Sequence, residues 1–204
     1  MDKQFIEELA SAAPTPGGGA ACAYVGVLAT CLTSMVGNLT VGKERYKSAE
    51  AEALQKLEQL ERMRVHLAEL VRADEEAFKP LAAAYRLPRT TDEEKATRAE
   101  AIQSALYDAS EVPLEIMEVI LEALGAAKFF AYNGNRSALS DIGAAATFAR
   151  AAAHGVRMTV VANITSMEDE HKARIYRQRM NSLLVDIDQQ ADFVESYVLD
   201  HLSA

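Results

Sequence analysis

An unbroken helical pattern across residues 43–85 limits what this chain can fold into more than any other feature. Leu60, Leu67, Val71, Phe78 and Leu81 return at steps of three, four and seven, which puts them on one face of an α-helix. A helix over that span is roughly 60 Å long. Leu87-Pro88 stops it, because the residue before a proline is steered out of the helical region.

Gly and Pro divide the rest. A short amphipathic helix near residues 2–11 carries Phe5, Ile6 and Leu9 on one side, and Pro14-Thr15-Pro16-Gly17-Gly18-Gly19 follows as a turn. A second helix covers about 20–39, with Gly42 marking its end. Thr91-Asp92-Glu93-Glu94 reads as a capping box opening a helix to about Ser110. Pro113 fits the first turn of another, reaching about Phe130. Residues 133–137 form a loop, then helices run to about Ile164 and from about Glu168 to Leu202. No stretch alternates with the period of a strand. The expected fold is all-α, a single domain over 1–204 built as an up-and-down bundle of long helices with no β-sheet.

Half the chain is apolar, aromatics make up 6% and Trp is absent, a composition suited to closely packed helices. The net charge of −9 repels phosphate backbones, so nucleic acid is not expected as a partner, while a local basic pocket for a small anion is permitted. The first nine residues are charged and amphipathic, unlike a signal peptide. The apolar stretch over 20–36 is shorter and more polar than a membrane span requires. Cys22 and Cys31 fall on opposite faces of one helix, about 13 Å apart along its axis, too far to bridge. A cytoplasmic protein without membrane partners is expected.

Polar residues interrupt the apolar stripes. Asp74 lies seven after Leu67 and four before Phe78. Leu28, Cys31 and Met35 form a stripe whose next member is Asn38, and Asn163 shares a face with Ala149, Ala153, Val156 and Val160. A buried amide without a partner costs about 1–3 kcal/mol, and a charge more. Any one of the three could be satisfied by a neighbouring backbone group. Three on separate helices favour a pocket of convergent polar groups.

The loops add candidates. The amides of Gly17, Gly18 and Gly19 precede a helix and could hold an anion or a carbonyl oxygen, although the P-loop and dinucleotide patterns are both missing. Lys43 opposes the dipole of the helix it would start, with Tyr46 nearly one turn on. Asn135, Arg136, Ser137, Ser140 and Asp141 crowd another helix entrance, where capping accounts for one of them. The four histidines are scattered without metal-ligand spacing, and no nucleophile motif is present, so a metal-free acid–base chemistry is expected.

Phe5-Ile6-Glu7-Glu8-Leu9-Ala10-Ser11 leading into Pro14-Thr15-Pro16-Gly17-Gly18-Gly19-Ala20 resembles the opening of the cyclodeaminase/cyclohydrolase family. That family comprises the cyclodeaminase domain of formiminotransferase-cyclodeaminase and stand-alone bacterial methenyltetrahydrofolate cyclohydrolases. The run from Met35 to Lys43 with Tyr46, then Asp74-Glu75-Glu76-Ala77-Phe78, Val112-Pro113-Leu114, Gly134-Asn135, Ser140-Asp141 and Asn163-Ile164 are similar to later blocks, in order. The chain departs from the pattern at Arg136-Ser137-Ala138-Leu139, where relatives have a more Asn/Pro-rich turn. The resemblance implies a homodimer with a folate pocket between helices near the dimer interface, no permanently bound cofactor, and a tetrahydrofolate derivative as substrate. Hydrolysis of 5,10-methenyltetrahydrofolate to 10-formyltetrahydrofolate is the favoured expectation, and closure of 5-formiminotetrahydrofolate with loss of ammonia is the alternative. A helical module that binds a partner or a folate without turnover is more remote. On this reading Asp141 or Asp74 moves the proton while the other holds the pterin, and Asn38 and Asn163 orient the ring. Pro16, the Gly17–Gly19 amides, Lys43, Tyr46, Asn135 and Ser140 complete the substrate contacts.

Overall fold

The computed structural model describes residues 3–202 and contains six α-helices, with no strand among the described residues. They are α1 (Lys3–Leu9), α2 (Gly18–Thr40), α3 (Glu50–Tyr85), α4 (Asp92–Asn133), α5 (Leu139–Thr165) and α6 (Glu170–Leu202), with 3-10 turns at Glu44–Ala49 and Arg136–Ala138. α2 packs on α3 and α5, α4 touches all four other long helices, and α6 closes on α4 and α5. Leu60, Leu67, Leu114, Ile120 and Ile187 are buried at the centre. Burying a side chain of that size contributes about 1.5–3 kcal/mol.

Small residues set the spacing. A Cβ on Gly37 would stand 2.6 Å from Leu57 Cδ2 and 2.8 Å from Phe130 Cζ, so those side chains rest directly on the α2 backbone. The inner face of α2 is Gly19, Ala20, Ala23, Gly26, Ala29, Thr33, Val36 and Thr40. The stripe Leu28, Cys31, Met35 and Asn38, expected to face the core, is the outward face instead. α2 carries no charge, so apolarity alone does not tell its inside from its outside. It is also long and apolar enough by length and composition to cross a membrane, contrary to the expectation from residues 20–36, and 44% of its apolar window is buried within the bundle.

Two boundaries differ from expectation. The chain does not enter α3 at Lys43: it turns through 3-10 geometry, with Tyr46 outside the helical region at φ −112° and ψ 15°. The break expected before Pro113 is absent, because α4 runs through it from Asp92 to Asn133. A proline inside a helix leaves the carbonyl four residues earlier without its N–H donor. That carbonyl belongs to Ala109, and Asn163 Nδ2 of α5 donates to it at 2.8 Å. Asn163, expected to orient a substrate ring, spends its amide N–H on a structural carbonyl. Asn163→Ala strands a buried acceptor and is expected to lower stability by about 1–3 kcal/mol in urea unfolding, with KM unchanged. A several-fold rise in KM without loss of stability contradicts this assignment. The capping box is as expected, with Glu94 N donating to Thr91 Oγ1 at 3.1 Å and Thr91 N to Glu94 Oε2 at 3.0 Å.

Candidate functional site

The candidate residues gather at the two ends of α2. At its first turn, Asp74 of α3 reaches across, and its Oδ2 accepts the Ala20 N–H at 2.9 Å. A helix N-terminus offers unpaired N–H groups and a positive dipole end, which favour a carboxylate there. The site expected to hold a ligand anion is thus occupied by the protein's own acid. Gly19 makes the approach possible: a Cβ there would sit 2.1 Å from Asp74 Oδ1 and 2.6 Å from its Cγ. Among the described residues no protein donor reaches Oδ1. Pro16 is buried beside this turn, Gly17 is half-buried and Gly18 exposed.

Burial pushes the Asp74 carboxyl above the usual carboxylate range, the Ala20 N–H opposes the shift, and the nearby Glu75 adds to it. Cys22, one turn into α2, packs so closely on α5 that a Cβ at Gly155 would fall 2.5 Å from its Sγ. Burial first, then the Asp74 charge, raise this thiol. Next to Asp74, Glu75 and Val71 line a groove of about 620 Å³ between α1, α2 and α3, walled by Phe5, Tyr24, Val27 and Val65. Phe5 and Tyr24 are in ring contact at 4.8 Å, fixing α1 over the groove. Gln4, Glu8, Arg64, Glu69 and Arg72 make the rest of the lining largely charged, and a cavity of a few hundred Å³ is of the size that takes a small-molecule ligand. A groove of about 690 Å³ between α3 and α4 is more polar and is crossed by the His66–Glu115 pair at 2.8 Å; neither groove is lined by an expected site residue, and the 620 Å³ one comes nearest through Val71 and Glu75 on either side of Asp74.

The other end of α2 holds Asn38, Lys43, Tyr46, Asn135, Ser140 and Asp141. Asn135 fastens it: its N–H donates to Thr40 Oγ1 at 2.9 Å, its Nδ2 to the Leu39 carbonyl at 3.0 Å, and its Oδ1 accepts from Ser137 N at 3.0 Å. The Tyr46 hydroxyl accepts the Arg136 N–H at 3.2 Å, and the Arg136 guanidinium donates to the Tyr197 hydroxyl at 3.1 Å. Asp141 lies half-buried in the first turn of α5, while Ser140, Lys43 and Asn38 are exposed. Tyr24, Thr40, Cys22, Gly155 and Tyr197 were not among the expected residues. Only Thr40 carried a signal, as a polar member of the inner stripe. From Ala20 to Thr40 the α2 axis covers about 30 Å, so one chain does not bring Asp74 to Lys43, Tyr46 or Asn135.

The fold and site define an all-helical bundle with a mostly buried carboxylate, Asp74, on a helix N-terminus, one residue from a ligand-sized groove lined by Val71 and Glu75. Comparison with known proteins gives the family. The formiminotransferase-cyclodeaminase family model matches residues 1–182, and the chain belongs to that family. It is 41% identical over 182 residues to a methenyltetrahydrofolate cyclohydrolase of Methylorubrum extorquens, covering 89% of this chain and 88% of that one. It is 32% identical over 192 residues to the formimidoyltransferase-cyclodeaminase of Rattus norvegicus, covering 94% of this chain but 36% of that protein. A formiminotetrahydrofolate cyclodeaminase structure from Thermotoga maritima superposes with a TM-score of 0.82 at 28% identity, covering 100% of this chain and 96% of the other.

Proposed function

We propose that this chain hydrolyses 5,10-methenyltetrahydrofolate to 10-formyltetrahydrofolate, with Asp74 as the general base. The observation that carries this is the Asp74 carboxylate: one oxygen held by a backbone N–H, the other without a donor among the described residues, and a proton affinity raised by burial. The bridging carbon of the substrate is an electrophilic amidinium. Water attacks it as Asp74 Oδ1 takes the proton, which makes a tetrahedral carbon bearing a hydroxyl. Returning that proton to N5 breaks the C–N5 bond, and loss of the hydroxyl proton leaves the formyl group on N10, with one proton released to solvent overall. A positioned base of this kind contributes about 10²–10⁴-fold. Similarity over most of both chains to a cyclohydrolase supports this reading over others.

Cyclodeamination of 5-formiminotetrahydrofolate is the second reading, favoured by the likeness to the T. maritima structure. There the leaving nitrogen needs an acid. The two readings differ in pH dependence. A base acts only when deprotonated, so cyclohydrolase kcat/KM rises with pH through the raised Asp74 value, in a limb above the usual carboxylate range of about 4. An acid role makes the rate fall through the same value. Following methenyltetrahydrofolate absorbance against the spontaneous rate, and ammonia release from the formimino compound, decides between them. No acceleration of either reaction removes the proposal. The enzyme is taken as a soluble, cytoplasmic homodimer that needs no bound metal or cofactor.

A further inference from the structure

We propose that α1 is a hinged cover over the groove beside Asp74, latched by the Phe5–Tyr24 ring contact, and that it lifts each time a ligand enters or leaves. The kinetic side of this inference rests on the folate-enzyme reading above; the motion does not.

The first observation is how little holds α1 down. Phe5 is half-buried, and every other residue of the helix is exposed, whereas each long helix buries a stripe of side chains. Ile6 and Leu9 share the apolar side of α1 but are 47% and 39% exposed, and Phe5 is the one that packs against the core. The 7 residues of α1 fall short of the roughly 12–15 at which an isolated helix holds together in water. Freeing the Phe5 ring from Tyr24 therefore releases α1 as a unit.

The second observation is the hinge. Ala10 N donates to the Ile6 carbonyl, Ser11 N and Oγ to the Glu8 carbonyl, and Ala13 N to Ser11 Oγ. These bonds stay within α1 and its tail, so they travel with the helix. Residues 10–14 are exposed, Pro14 has no N–H to anchor, and burial begins at Pro16, where the chain joins α2. A few loop residues of this kind are enough to absorb the backbone rotation of an opening cover.

The third observation is what lies underneath. Gln4, Phe5 and Glu8 form the α1 wall of the 620 Å³ groove, opposite Tyr24, Val27, Val65 and Val71, and Glu75 brings the groove to Asp74. Lifting α1 bares these apolar side chains to water, so the empty groove favours the closed form. A ligand lying on them touches α1 only when the cover is down, and its binding shifts the balance further toward closure.

Hydrogen exchange on the intact protein tests the motion. The Glu7–Ala10 amides are expected to exchange at least 100-fold faster than the buried amides of α4 and α5. Phe5→Ala is expected to speed them at least tenfold more and to leave α4 and α5 unchanged, and saturating tetrahydrofolate to slow them at least tenfold in wild type. Protection of α1 equal to that of α4, indifference to Phe5→Ala, or bound tetrahydrofolate without slowing overturns the cover. The need to lift is tested with Phe5→Cys/Tyr24→Cys on a Cys22→Ser/Cys31→Ser background, bridged by a thiol-specific linker with an internal disulfide. Bridging is expected to lower kcat/KM at least tenfold, and reduction of the linker to restore it. A bridged protein that works at its unbridged rate overturns the gating role. If wild type neither binds tetrahydrofolate nor turns over either folate, the proposed reaction falls, and exchange in the free protein still decides the hinge.

Discussion

Asp74→Asn is expected to lower kcat/KM by about 10²–10⁴-fold while leaving the protein at least as stable as wild type at pH 8. The two effects have one origin. Burial raises the Asp74 pKa in the folded state, so the fold prefers the neutral acid. For an acid shifted upward, the stabilising contribution is fully present below the unfolded pKa and is lost as pH rises through the folded one. At pH 8 the wild-type protein therefore carries an ionised, mostly buried carboxylate at a net disadvantage, which asparagine lacks. The amide oxygen still accepts the Ala20 N–H, so the start of α2 keeps its partner. Melting temperatures at pH 4 and pH 8 check this: the variant's advantage grows toward pH 8. A variant that melts lower at pH 8 than at pH 4, relative to wild type, contradicts the burial argument. One that keeps activity within tenfold removes Asp74 as the base.

What the sequence shows of this molecule depends on how local the cause is. The capping box of Thr91 and Glu94 is contained within four residues, and it was legible. The burial of Asp74 was legible too, because a carboxylate on an apolar stripe needs a partner, and the structure supplies the Ala20 N–H. Asn163 broke its stripe in the same way, yet its cause lies at Pro113 on another helix, through the Ala109 carbonyl, and nothing near Asn163 announces that. The faces of α2 were read inside out for a different reason. Its inner side is made of Gly, Ala and Thr, its outer side of Leu, Met and Cys, so ranking by hydrophobicity picks the wrong one. Size was the better guide, since close helix packing selects the smallest residues. That one chain does not bring Asp74 and Lys43 together was readable from length: each lies at a different end of a helix whose extent the sequence shows.

The sharpest separation of position from chemistry comes from two adjacent glycines. In Gly19→Ala the new methyl carbon would lie 2.1 Å from Asp74 Oδ1, 2.6 Å from Oδ2 and 2.6 Å from Cγ, so it meets the carboxylate end of the side chain head-on. The acid has to leave, and Ala20 N–H loses its acceptor. Displacing a reacting group by an ångström or so is enough for about a 10²-fold loss, and that loss in kcat/KM is expected here. Forcing an extra carbon into packed surroundings also costs about 1–3 kcal/mol, only partly offset by the roughly 0.5–1 kcal/mol that alanine gains over glycine within a helix. In Gly18→Ala the same carbon meets nothing within 4 Å, so helix propensity acts alone. That variant is expected to match or exceed wild-type stability and to keep activity within about threefold. Kinetics and urea melts of the pair make the comparison, because both changes add one methyl group to the same helical turn. If Gly19→Ala turns over at the wild-type rate, the seat of Asp74 on the α2 terminus has no part in the reaction.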